Sequence, residues 1–491
     1  MSTLSPNWKR WLAIAAIVLV VVGIPIAFTA WYKFFREVDD GPWSSLEERF
    51  KYGSIGAEAD AGLPYWIWVA LPRVFPDLLP RDGQGGWASF GIPWEEGHEM
   101  PIGFTKKTVG FPRVANNCAI CHATSYRTRP DETPKIVAGG PNHTGNIQAV
   151  LRFLTNCAKD PRFNADILMA EINNHASLSW LDKLAYRFAI IPQTRKALLA
   201  REPQFGWMNR PNWPEWGEGR DDPMNLTKYF MTKLPVDDTV GTADFPSIWN
   251  LGLREGKWLN WCGETPSPLS VIIDSALGLQ ARPSTVVSQA AWIQEFAVKK
   301  RPPKYPFPID AALAAKGKPL FDQHCNSCHG LGAGTRVGQI IEIAEVKTDN
   351  NRLITWTAQA ADIANQTVEK LGVKRIGITK PKIEGYQAVP LDGIWLRAPY
   401  LHNGSVPNLT ELLEPEEKRS KVFYRGYDMY DPAVVGFDTT SPEARRLGFR
   451  VDTTIKGNGN QGHLYGTTLP PAEKKALIEY LKTLGPVEGE A

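Results

Sequence analysis

A chain of 491 residues with 43% hydrophobic and 22% charged residues is too long for one small domain and suits two or three compact units. A net charge of +3 gives no reason to expect a nucleic-acid partner. The 42 Gly and 39 Pro predict a loop-rich fold, while the 18 Trp suit either packing against a flat cofactor or ordinary cores.

Residues 11–32 carry no charge. At a helical rise of about 1.5 Å per residue they cover a hydrocarbon core of roughly 30 Å. Lys9 and Arg10 precede the run, and Trp11, Trp31 and Tyr32 stand at its ends as interfacial residues. A cleaved signal peptide would have a shorter apolar region of about 7–15 residues, so the expectation is an uncleaved anchor. Residues 1–45 are read as this anchor and an acidic neck.

Residues 46–305 are read as a first unit. It opens on a Trp- and Pro-rich stretch, residues 63–80, that reads as irregular packed chain because prolines break it. Apolar residues at three- and four-residue intervals predict helices over 147–154, 165–173 and 180–191. The basic, Pro-rich segment 299–308 is a stiff linker and marks the boundary.

Residues 306–491 have the outline of a cytochrome c domain. Asp310 caps a predicted helix whose face carries Leu313, Gly317, Leu320, Phe321 and His324 and which leads into Cys325; Pro319 predicts a kink or restart within it. A last helix begins at Pro471 and closes at Gly485 and Pro486, with Leu477, Ile478, Leu481 and Leu484 as its buried stripe.

Two motifs carry the chemistry: Cys118-Ala-Ile-Cys121-His122 and Cys325-Asn-Ser-Cys328-His329. Two cysteines three positions apart at the start of a helical turn can each form a thioether with one haem vinyl group. The histidine that follows then points at the iron. A four-thiolate zinc site would not require a histidine after both pairs. Two covalently bound haem c groups are therefore expected. Such haems are attached outside the cytoplasmic membrane, which predicts a single-pass protein of the bacterial inner membrane with its body in the periplasm. Cys157 and Cys262 remain, and in that oxidising compartment they can pair or stay as buried thiols.

The sixth ligand decides what each iron does. His463 stands in the Gly-rich loop 457–463, where glycines let backbone approach a haem face. It is the favoured distal ligand of the second haem, with His402 as competitor. Met429 is the single methionine of the second unit, so bis-histidine ligation is expected over histidine–methionine. For the first haem, His143 is a candidate distal ligand or acid–base residue, His98 a weaker one, and an open distal face is compatible too. His175 and His324 read as surface or packing residues.

The motif pair, the stretch Ala398-Pro-Tyr-Leu-His402-Asn-Gly-Ser405 and the loop ending at His463 together resemble the dihaem cytochrome c peroxidase superfamily, nearest its rubber-oxygenase-like dihaem branch. The resemblance covers roughly residues 110–485. It implies that the first haem is the reactive one and that the second feeds it electrons. It also implies His463 as a ligand and the His402 segment as a neighbour of the second haem.

The expected activity is that of a membrane-anchored periplasmic oxidoreductase of mainly α fold, with two haem domains behind one transmembrane helix. It would use peroxide, or dioxygen, at the haem held by His122. A Trp between the haems would help electrons cross. The alternative is a pure electron-transfer cytochrome linking a quinol dehydrogenase to a small soluble redox protein.

Overall fold

The apolar N-terminal run is helical from Asn7 to Phe34 in the computed structural model, which describes residues 6–81 and 85–486. Pro25 has no N–H to give and crowds the carbonyl four residues before it. The helix accommodates it with a π-turn at Leu19–Gly23. The apolar side chains of this helix are exposed, and it is long and apolar enough to cross a membrane. Its end is tied to the body. Gly110 N–H donates to the Arg36 carbonyl at 2.7 Å and Val38 N–H to that of Thr108 at 2.9 Å. Gly110 has a positive φ, and a Cβ there would lie 2.2 Å from the carbonyl carbon of Phe34, so only glycine admits this approach.

The body begins with an antiparallel hairpin, Phe104–Val109 with Phe111–Asn116, extended by Leu63–Pro64. Helices Tyr65–Val74, Ile147–Lys159 and Ala165–His175, and a helix over 180–200, enclose a cluster that includes Ile67, Trp68, Phe75, Phe90 and Phe153. Asn146, Asn164 and Ser179 cap three of these helices by accepting backbone N–H groups. Residues 65–74 correct the expectation of irregular chain. Pro72 deprives the Trp68 carbonyl of its helical donor, but Trp87 Nε1–H donates to that oxygen at 3.0 Å. With the lost bond replaced, burial of Ile67, Trp68 and Leu71 carries the helix.

In the C-terminal part, Asp310 accepts from the N–H groups of Ala312 and Leu313 and starts helix Ala311–His324. This helix packs on Pro471–Lys482. The contact is close because a Cβ at Gly317 would fall 1.9 Å from the Ala476 carbonyl oxygen. Of the kink or restart expected at Pro319, the restart does not occur: the helix is continuous from Ala311 to His324, and Ala315, whose carbonyl loses its partner, lies on the exposed side. Leu477, Ile478 and Leu481 are buried as the periodicity implied. The fold is helix-rich, with short strands and long loops.

The cores interleave along the chain. Tyr126 and Trp249 pack with Trp395, Tyr400 and Tyr430, and Met224 and Cys262 pack with Ile341, Trp356 and Tyr386. Arg425 pairs with Asp244, both buried, and Arg127 with Asp428. A disulfide between Cys157 and Cys262 is not formed. Cys157 is enclosed by the first apolar cluster, whereas Cys262 Sγ accepts from Arg352 Nε at 3.0 Å in a different one.

Candidate functional site

The hairpin delivers Asn117, whose side chain organises the first motif. Its Oδ1 accepts from Ala119 N–H, capping the 3-10 turn Cys118–Ile120, and its Nδ2 donates to the Phe50 and Gly53 carbonyls. Gly103 packs against the turn, where a Cβ would lie 2.2 Å from Ile120 N. The chain then enters the two-stranded sheet Ala123–Tyr126 with Lys135–Ala138, and Asn142 returns to the motif, its N–H donating to the Cys121 carbonyl and its Nδ2 to that of Ile120. The second motif follows helix Ala311–His324 directly, as the single turn Asn326–His329. Arg336 Nη2 donates to Cys328 Sγ at 3.0 Å.

A ligating imidazole commonly has one ring nitrogen held and the other free. His122 Nδ1 lies 2.9 Å from the Pro246 carbonyl oxygen, and His329 Nδ1 lies 2.7 Å from that of Val389. A carbonyl only accepts, so the proton sits on Nδ1 in both rings and the lone pair on Nε2. Burial pushes the His122 imidazole down to about 4, against a small opposing effect of the Pro246 bond, and lowers that of His329 in the same way. Both rings are therefore neutral at pH 7, the state that binds a metal. Paired thiols, a pinned imidazole and an unclaimed Nε2 fit haem c at each motif.

His463 faces His329 with ring centres 6.2 Å apart. Two imidazoles on opposite sides of one metal, bound through bonds of about 2 Å with each ring centre roughly 1 Å further out, sit about 6 Å apart. The loop is built to place it there. His463 has a positive φ and its N–H donates to the Val346 carbonyl at 2.7 Å. Arg419, buried, donates to the carbonyls of Asn460 and Gly462 at 2.6 and 2.8 Å. Asn403 Nδ2 and Ser405 Oγ both donate to the Gly459 carbonyl at 2.9 Å. The stretch around His402 is thus the clamp of the His463 loop.

The remaining histidines make other contacts, although the buried Nε2 atoms of His143 and His402 have no hydrogen-bond partner among the described residues. His402 stacks on Tyr386 at 3.9 Å, His98 on Tyr52 at 4.6 Å, and His175 bonds Glu171 at 2.8 Å. His324 ends its helix, half-buried. His143 stacks on Phe437 at 3.6 Å, and its Nδ1 lies 3.0 Å from Thr124 Oγ1. Among the described residues, no second imidazole faces His122 as His463 faces His329.

Burial, aided by the charge of Arg425, pushes the His143 imidazole from 6.5 down to about 3. The stability that neutral His143 lends is complete above the unfolded value near 6.5 and is lost as pH falls toward 3. The loss reaches up to about 1.4 kcal/mol per pH unit. A His143→Phe variant is expected to be weaker at neutral pH but to lose less stability over that window, read from denaturant midpoints. An unchanged slope would mean that the buried ring takes up its proton at no cost.

Sequence reasoning missed four contributors. The carbonyls of Pro246 and Val389 carry no sequence signal, since every residue has one. Asp221, on the two-residue strand that pairs with Ala243–Asp244, is half-buried and close enough for its charge to raise the Cys121 thiol. Burial lifts its carboxyl to about 7, against the pull of Arg352. Trp261 bridges the two segments whose carbonyls hold the motif histidines. Its Nε1–H donates to the Asp244 carbonyl at 2.8 Å, two residues from Pro246, and its own carbonyl accepts from Gln387 N–H at 2.9 Å, two residues from Val389.

A family model described as RoxA-like, cytochrome c-like matches residues 385–424, the segment that holds Val389, His402 and Arg419. Two proteins of Sinorhizobium fredii are similar to this chain. One, Uncharacterized protein y4iJ, is 38% identical over 160 residues, covering 31% of this chain and 25% of that protein. The other, Uncharacterized protein y4iM, is 31% identical over 289 residues, covering 49% of this chain and 64% of that protein. The chain thus spans less than two thirds of each relative's length. The matched segment links the chain to the c-type cytochromes and implies haem c as cofactor.

Proposed function

We propose that this chain is a membrane-anchored, periplasmic oxidoreductase with two covalent haem c groups, reacting with peroxide at the His122 site and drawing electrons through the His329 site. The observation that carries the reading is the inequality of the two motifs: His329 has a second imidazole opposite it at 6.2 Å, and His122 has none among the described residues. Held by these residues, haem c would supply a one-electron iron couple and reactivity toward peroxide.

Cys118, Cys121, Cys325 and Cys328 hold the cofactors. Pro246 and Val389 fix the imidazole tautomers. Reduction of peroxide to water consumes protons as well as electrons. Neutral His143 cannot give one at pH 7, since its imidazole protonates only near 3. Asp221, with a carboxyl near 7, is poised to exchange one at working pH. Trp261 lies between the two segments that hold His122 and His329, bonded to Asp244 on one side and to Gln387 on the other, and this placement supports electron relay between the two sites.

The test is turnover of hydrogen peroxide by the full, haem-loaded chain with a reduced small redox protein, beside its electron paramagnetic resonance spectrum. Expected are one high-spin and one low-spin haem, turnover, and a roughly 100-fold loss of kcat in Asp221→Asn. Two six-coordinate low-spin haems in both redox states without turnover would overturn the reading in favour of a pure electron-transfer cytochrome.

A further inference from the structure

The helix over residues 180–200 presents apolar side chains in two directions. Tyr186, Ile190 and Ile191 are buried in the core cluster around Trp68 and Phe153. On the outward side Trp180 is 69% and Phe188 71% exposed, with Leu181 and Leu184 exposed between them. These four positions follow an i, i+1, i+4, i+8 pattern, which forms one stripe. A surface helix ordinarily turns polar residues outward, and a contiguous exposed apolar patch marks a contact surface.

What covers it follows from its position. Asp182, in the same turn as Trp180, Leu181 and Leu184, pairs with Lys33 at 2.9 Å. Lys33 directly follows Trp31 and Tyr32, the aromatic end of the apolar N-terminal helix, and exposed Phe34 and Phe35 come next. Aromatic residues at the end of a span mark the level of the membrane surface. The outward stripe is therefore held at that level. Exposed Lys183 adds positive charge beside it, while Arg187, also exposed, is paired with Asp166; a cation beside an apolar stripe suits anionic headgroups.

We propose that residues 180–188 form a second membrane contact, seated in the headgroup–acyl boundary of the bilayer that the N-terminal helix crosses. The inference rests on the reading of that helix as an anchor. It gives the body a fixed orientation: with the end of the span bonded to the 104–116 hairpin, a second, adjoining contact would hold that hairpin and the first motif at a set height above the lipid.

The test uses the full chain in phosphatidylcholine–phosphatidylglycerol vesicles containing a lipid with a photoactivated diazirine on its acyl chain, read by peptide mass spectrometry. Expected is labelling of the 7–34 span and of 180–188. In a Leu184→Glu, Phe188→Glu variant the second label should be lost while the first persists. A labelled span with unlabelled 180–188 overturns the proposal and leaves the anchor standing. An unlabelled span overturns the anchor itself. Residues 180–188 left unlabelled in a chain that sediments as a dimer would assign the stripe to a second copy and also overturn the proposal.

Discussion

Removing the His463 imidazole is expected to turn the C-terminal haem from low spin to high spin, and replacing it by methionine to raise that haem's midpoint potential by on the order of 100 mV, within the roughly 0.8 V that axial ligands span. The measurements are electron paramagnetic resonance on His463→Ala and spectropotentiometry on His463→Met. The expectation comes from the 6.2 Å separation of the two rings and from the clamp that sets it. That clamp is testable separately. Arg419 donates to three carbonyls of the loop, those of Asn460, Gly462 and His463, and is itself fixed by bonds to the carbonyls of Leu412 and Glu414. Arg419→Ala keeps the ligand but frees the loop, so a mixture of low- and high-spin signals is expected. Unchanged spectra in all three variants would show that another group completes the site.

Replacing both thiols of either motif is expected to halve the haem content. Cys118→Ala with Cys121→Ala should remove one covalent haem and its high-spin signal. Cys325→Ala with Cys328→Ala should remove the other and the low-spin signal, each read by intact mass and by covalent haem staining. This result fixes the number of haems, which the family match over residues 385–424 leaves open. A group that binds only the folded state adds to stability, so each double variant is also expected to unfold more readily. A variant that keeps both haems would remove its motif from the assignment.

Much of the candidate site was legible because its parts are encoded locally. The thiol pairs and their histidines are contiguous, and the His463 loop announces itself through its glycines. The Asp310 cap and the Pro471 helix start follow rules that act over three or four residues. What was not legible depends on distant partners. The helix at 65–74 survives Pro72 because Trp87, fifteen residues further on, supplies the missing donor. Cys157 and Cys262 stay apart because they belong to different clusters, which their even number conceals. Asp221 reads as an ordinary acid until burial and its closeness to Cys121 are known.

The interleaving of the cores has a consequence for how the chain acquires its shape. Arg127 meets Asp428 across 301 residues and Arg425 meets Asp244 across 181. Contacts so far apart in sequence are costly to close and form slowly. The Cys118–His122 turn is held mainly by near residues, Phe50, Gly53 and Asn142. Arg127, five residues after His122, and Asp244, two before the Pro246 carbonyl that pins it, wait for partners in the last hundred residues. The thiol side of the site can thus form early, while the side that pins the imidazole closes late.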